Sequence, residues 1–92
     1  MTIADLDEVT YDLEVDGEEV RRETARAVWE RSGWATVAIA FAERAKDGGW
    51  TSKLALLRFR RIHDAWSRQS HITLGDGDAC ELAQFVGRSF PA

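Results

Sequence analysis

The stretch GEEVRRETARAVWERSG, Gly17 to Gly33, decides the fold. By propensity it reads as a helix. It is rich in helix formers, offers Glu18 with Arg22 and Arg26 with Glu30 at i,i+4, and ends in a glycine suited to the first residue past a helix. In that helix, however, Trp29 would fall opposite Val20, Thr24, Ala27 and Val28, leaving no single apolar face. Read as a strand, the segment turns at Ser32-Gly33 and lets RAVWER pair with the WATVAI that follows. The strand is favoured, with the helix as the alternative.

The neighbouring segments have the period of strands. In VTYDLEV, Val9, Tyr11, Leu13 and Val15 alternate with polar residues, and Asp16-Gly17 follows as a turn. WATVAIAFAER puts Val37, Ile39 and Phe41 on one face and Trp34, Thr36, Ala38 and Ala40 on the other, the pattern of a central strand. Asp47, Gly48 and Gly49 suit a hairpin loop, with Trp50 at its exit and strand character resuming at Lys53. KLALLRFRRI and WSRQSHITL then form a second hairpin across His63-Asp64-Ala65, with Asp64 as its turn residue. The expected sheet is an antiparallel meander of four to five strands.

The chain should close with a helix. Asp78 and Glu81 have capping-box spacing, Leu82, Phe85 and Val86 recur at helical spacing, and Gly87 is the expected stop. With Ala79 and Phe90 on the same side, this helix is expected to pack on one face of the sheet, and Cys80 to pack beneath it. The fold class is therefore α+β, with residues 1–8 an acidic N-terminal arm and residues 9–92 a single domain.

Charge is segregated along the chain. The net charge is -4, yet residues 20–75 hold eleven Lys or Arg against five Asp or Glu, while residues 1–19 carry eight acidic side chains and no basic one. The acidic arm lacks strand alternation over residues 1–8, so it reads as a mobile end able to compete for a basic face or to dock a protein partner. A chain of 92 residues buries a limited core, which points to a homodimer. A lone Cys80, no leader and no long apolar run point to the cytoplasm and away from membranes.

Catalysis finds little support. There is no nucleophile elbow, no phosphate-cradling glycine loop and no cysteine pair for zinc, and Asp76, Asp78 and Glu81 lack the order of a calcium loop. No cofactor is expected. The alternation of Arg58, Phe59 and Arg60 sends both guanidinium groups to one face, beside a polar row of Ser67, Gln69, His71 and Thr73. Guanidinium groups suit phosphates, Gln69 and His71 can hydrogen-bond to base edges, and Trp34, Trp50 and Trp66 offer rings for unpaired bases. With Lys53 and Arg68, these residues form the candidate surface for single-stranded DNA or RNA. The alternative is a protein-interaction module of the same fold that binds no nucleic acid.

The order LALLRFRRIHDAW-SRQSHITL-GDGDACELAQFV, spanning Leu54 to Val86, resembles the closing half of the positive-cofactor-four type transcriptional coactivators, a family similar in fold to the plant Whirly proteins. The resemblance implies an antiparallel sheet followed by a helix, a homodimer built through that helix and a sheet edge, and single-stranded DNA bound across the sheet. It further implies that Arg58 and Arg60 lie on a charged strand, that Arg68 is the basic position before the triplet Ile72-Thr73-Leu74, and that Trp66 is the loop aromatic.

Overall fold

Three tight turns set the meander. Asp16-Gly17 and Ser32-Gly33 each take left-handed backbone angles (φ 53° and 80° in both pairs), the conformation that matches the twist of flanking strands. In the third, across His63-Asp64, the positive φ of 58° falls on His63. These turns and the loop of residues 45–49, with Gly48 at φ 88°, join β2 (Leu13–Val15), β3 (Glu18–Arg31), β4 (Trp34–Arg44), β5 (Trp50–Ile62) and β6 (Ala65–Gly75), all antiparallel. The computed structural model describes residues 2–91. A two-residue β1 (Thr2–Ile3) adds to the far side of β6, giving six strands in the order β1-β6-β5-β4-β3-β2 rather than four to five.

The segment Gly17 to Gly33 is thus a strand. Pairing runs from Arg21 opposite Glu43 to Arg31 opposite Trp34, with one shift between Glu23 and Ala25. That bulge accommodates Thr24, whose hydroxyl donates to the Ala40 carbonyl at 3.1 Å. Helix propensity loses here because the two-residue turn delivers the whole strand to a partner that buries Val37 and Ile39 completely.

The core lies on one face of the sheet only. Ala35, Val37, Ile39 and Phe41 of β4 meet Ala55, Leu57 and Phe59 of β5 there, and Trp66 closes one end. What covers them is the N-terminal segment. Leu6 and Val9 are buried in the cluster, and Ile3 and Tyr11 pack against it. The expected strand from Val9 to Val15 shortens to Leu13–Val15, because Val9 is spent on this lid.

The acidic arm is therefore a strap rather than a mobile end, and its carboxylates have structural tasks. A single 3₁₀ turn, Leu6–Glu8, is closed by Asp5, which accepts from the Asp7 amide at 2.9 Å. Glu8 reaches back to accept from the amides of Ala4 (2.9 Å) and Asp5 (2.8 Å). Further on, Asp12 accepts from the Glu23 amide at 2.7 Å and Arg26 donates to the Val9 carbonyl at 2.6 Å, tying the strap to β3.

The helix departs from expectation in the opposite sense. α1 spans Asp76–Ser89, starting two residues before Asp78 with Gly75 as N-cap and no side-chain cap, and running through Gly87. Its main contacts are with β5 and β6, and it buries none of its described residues. Leu82, Phe85, Val86 and Phe90 are exposed, as is Cys80, because the face the helix was expected to cover is already occupied by the strap. The result is a slab of 43 × 37 × 17 Å with a Cα radius of gyration of 14.9 Å, against about 12 Å for a compact chain of this length. Among the described residues no helix is long and apolar enough to cross a membrane.

Candidate nucleic-acid interface

Strand registers sort every side chain of β3 to β6 onto the strap face or the outer face. At one end, Arg31, Trp34, Arg60 and Ser67 form one outer row, and Trp29, Thr36, Arg58 and Ser70 form the next. The middle rows are apolar: Ala27, Ala38, Leu56 and Ile72, then Ala25, Ala40, Leu54 and Leu74. At the other end Arg22 stands beside Ala42 and Ser52, and Arg44 beside Trp50. No carboxylate occupies these outer positions. Five arginines and three of the four tryptophans do, in a chain whose net charge is -4.

Both ends have the same construction. The Trp34 ring, 37% exposed, has the guanidinium carbon of Arg58 at 4.9 Å and that of Arg60 at 5.7 Å from its centroid. The Trp50 ring has Arg22 at 4.8 Å and Arg44 at 5.6 Å. These distances lie in the cation–π range and keep the guanidinium groups beside a solvent-facing ring. At the first end, Trp29, Arg31, Trp34, Thr36 and Arg58 line a shallow basin of about 470 Å³. Of the five arginines only Arg22 has an ion pair among the described residues, with Glu19 at 3.3 Å and half exposed.

The candidate residues read from the sequence divide between the faces. Arg58, Arg60, Trp34 and Trp50 lie together on the outer face. His71 and Thr73 pair with Leu57 and Ala55 and so belong to the strap face, as does Arg68 opposite Phe59. The reason is a bulge between Arg58 and Phe59 that leaves Gln69 unmatched and reverses the parity of β6; Gln69 turns back on Ser67, donating to its carbonyl at 3.2 Å. The polar row expected beside Arg58 and Arg60 is therefore only Ser67 and Ser70. Trp66 is 5% exposed and cannot offer a ring face to a base. Lys53 lies on the strap face, paired with Glu43 at 2.6 Å.

The strap face mixes both signs by comparison. Arg26 makes two bonds to Glu23 (2.8 and 2.6 Å), and this hydrogen bonding raises the already high pKa of the guanidinium. Tyr11 stacks on Phe41 and shares a hydrogen bond of 2.9 Å with His71 Nε2, which lies 3.1 Å from the Thr73 hydroxyl. Burial raises the Tyr11 pKa above its ordinary 10.0, partly opposed by Arg21 and Arg68.

Sequence reading missed Trp29, Arg22, Arg31 and Arg44. The signal was present in the hairpin across Ser32-Gly33: once Arg31 pairs with Trp34, alternation alone carries Trp29 to the same face. No protein-family model, curated protein or solved structure matches the chain.

Proposed function

We propose that this chain is a non-enzymatic single-stranded nucleic-acid-binding protein of the transcriptional-coactivator type, and that it binds through the outer face of its sheet. The observation that carries the reading is the segregation of charge by face. Arg22, Arg31, Arg44, Arg58 and Arg60 share a surface with Trp29, Trp34 and Trp50, where the one ion pair among the described residues joins Arg22 to Glu19 at the margin, whereas the strap face mixes both signs. Guanidinium groups supply bidentate phosphate contact, and exposed indole rings supply stacking that any unpaired base can use. A duplex hides its base faces, so exposed tryptophans favour a single strand. The acidic N-terminal residues do not oppose this, because Asp5, Glu8 and Asp12 are engaged with backbone amides on the opposite face.

A homodimer belongs to the same proposal. The chain exposes 6602 Å² of surface where about 5,400 Å² is expected for its mass, an excess of about 1,200 Å² that a second copy would remove.

One observation favours a second reading. The middle of the outer face is a smooth floor of Ala25, Ala27, Ala38 and Ala40 beside Leu54, chemistry that suits a protein partner as well as a polymer of nucleotides. Salt separates the two. A labelled single-stranded oligonucleotide titrated by fluorescence polarisation should bind at low salt and weaken steeply as salt rises. Absence of binding at the lowest salt that keeps the protein in solution would leave the protein-docking reading in its place.

A further inference from the structure

The outer face has two arginine-clamped tryptophans, not one, and they stand at opposite ends of the same strand. Trp34 opens β4 and Arg44, the partner of Trp50, closes it. Ten residues of extended chain separate these rows, about 33 Å at about 3.3 Å per residue. We propose that the two clusters are paired stations for one single strand of nucleic acid, which lies along β4 and stacks a base at each end. This rests on the reading that the outer face binds single strands, and adds the direction and minimum length of the ligand.

The direction follows from where positive charge is found. A strand crossing the sheet at the first station would run from Arg31 over Trp34 and Arg60 toward β6, whose outer positions are Ser67 and Ser70 and carry no charge. A strand running along β4 leaves one pair of guanidiniums and reaches a second pair. Between them the alanine rows present no carboxylate to repel phosphate and no large side chain to lift the polymer from the sheet. At the stacked spacing of about 3.4 Å per nucleotide, 33 Å corresponds to about ten nucleotides, and fewer for an extended backbone.

Bridging has a thermodynamic signature. An oligonucleotide too short to span binds one station at a time, whereas one that spans makes its second contact intramolecularly and gains affinity without new contact types. Polarisation titrations with labelled oligo-dT of 4, 8, 12 and 16 nucleotides at low salt should show a step of about 10- to 100-fold once the length reaches both stations, followed by a plateau. Trp50→Ala should halve the affinity for dT4, because one of two equivalent stations is gone, and should remove the step. Arg44→Ala should shrink the step if the tryptophan variant fails to fold. A smooth rise with length and no step, or a step that persists in both folded variants, would overturn the paired-station proposal while leaving single-strand binding intact. Failure of the intact protein to bind any length would overturn both.

Discussion

Arg58 and Trp34, on neighbouring strands, lie one over the other, with the guanidinium carbon 4.9 Å from the ring centroid and both groups facing solvent on the outer face. Arg60 reaches the same ring from its other neighbour position. Arg68 was an equal candidate in the sequence but stands on the strap face. The three arginines should therefore behave differently. Arg58→Ala and Arg60→Ala should each weaken oligonucleotide binding and lower the slope of log K against log salt by about 0.7. Arg68→Ala should leave that slope unchanged. An equal effect from all three would place the ligand on the wrong face.

Leu6 joins the acidic segment to the core, buried against the side chains of β4 and β5. Leu6→Ala should cost about 2 to 3 kcal/mol, at the lower end of core truncations because the strap can shift. Deleting residues 1–8 removes Leu6 and β1 together and should destabilise more than the point substitution. Thermal melts decide this. If the truncated protein melts at the temperature of the intact one, the strap does not close the core.

How much was legible follows from which contacts are local. The turns at Asp16-Gly17 and Ser32-Gly33 announce themselves through residues that tolerate positive φ, and from them the meander and the core of Val37, Ile39, Leu57 and Phe59 follow by alternation. The strap did not announce itself. Leu6 and Val9 are separated by two acidic residues and have no strand period, so only their burial reveals the lid. An amphipathic helix after an open sheet is expected to cover it, and α1 departs from that because the strap has taken the face. The candidate site was half legible: Arg58 and Arg60 follow from alternation within one strand, but the Gln69 bulge that removes His71 and Thr73 has no local signature.

Tyr11 links the strap to β6 through His71 and should make stability fall in alkali. Burial raises its folded pKa above the ordinary 10.0, so the folded state holds the phenol proton more tightly than the unfolded chain does. The stabilisation is fully present below pH 10 and is lost as pH rises through the higher folded value. Tyr11→Phe should melt slightly lower at neutral pH, by no more than about 1 kcal/mol for one exposed hydrogen bond, and its melting temperature should fall less than that of the intact protein between pH 9 and 11. Parallel curves for the two proteins would mean that Tyr11 titrates as it does in the unfolded chain.

The helix stripe makes the final test. Leu82, Phe85 and Val86 lie at i, i+3 and i+4, Phe85 is 55% exposed, and the strap already closes the core on the sheet. The surface excess of about 1,200 Å² per chain exceeds the roughly 800 Å² each partner buries in a standard interface, so a single isologous contact must be larger than standard to absorb it. Light scattering at tens of micromolar should give twice the mass of 10.4 kDa. Phe85→Asp should shift the protein to a monomer, because a carboxylate at the centre of a closed apolar contact is left without a partner. The Arg58→Ala and Arg60→Ala variants should remain dimers, since their side chains lie on the sheet and not on the helix. A monomer in the intact protein would leave the stripe without a second copy to cover it. A Phe85→Asp variant that stays dimeric would move the interface off the helix, to the open edge of β3 beyond its short pairing with β2.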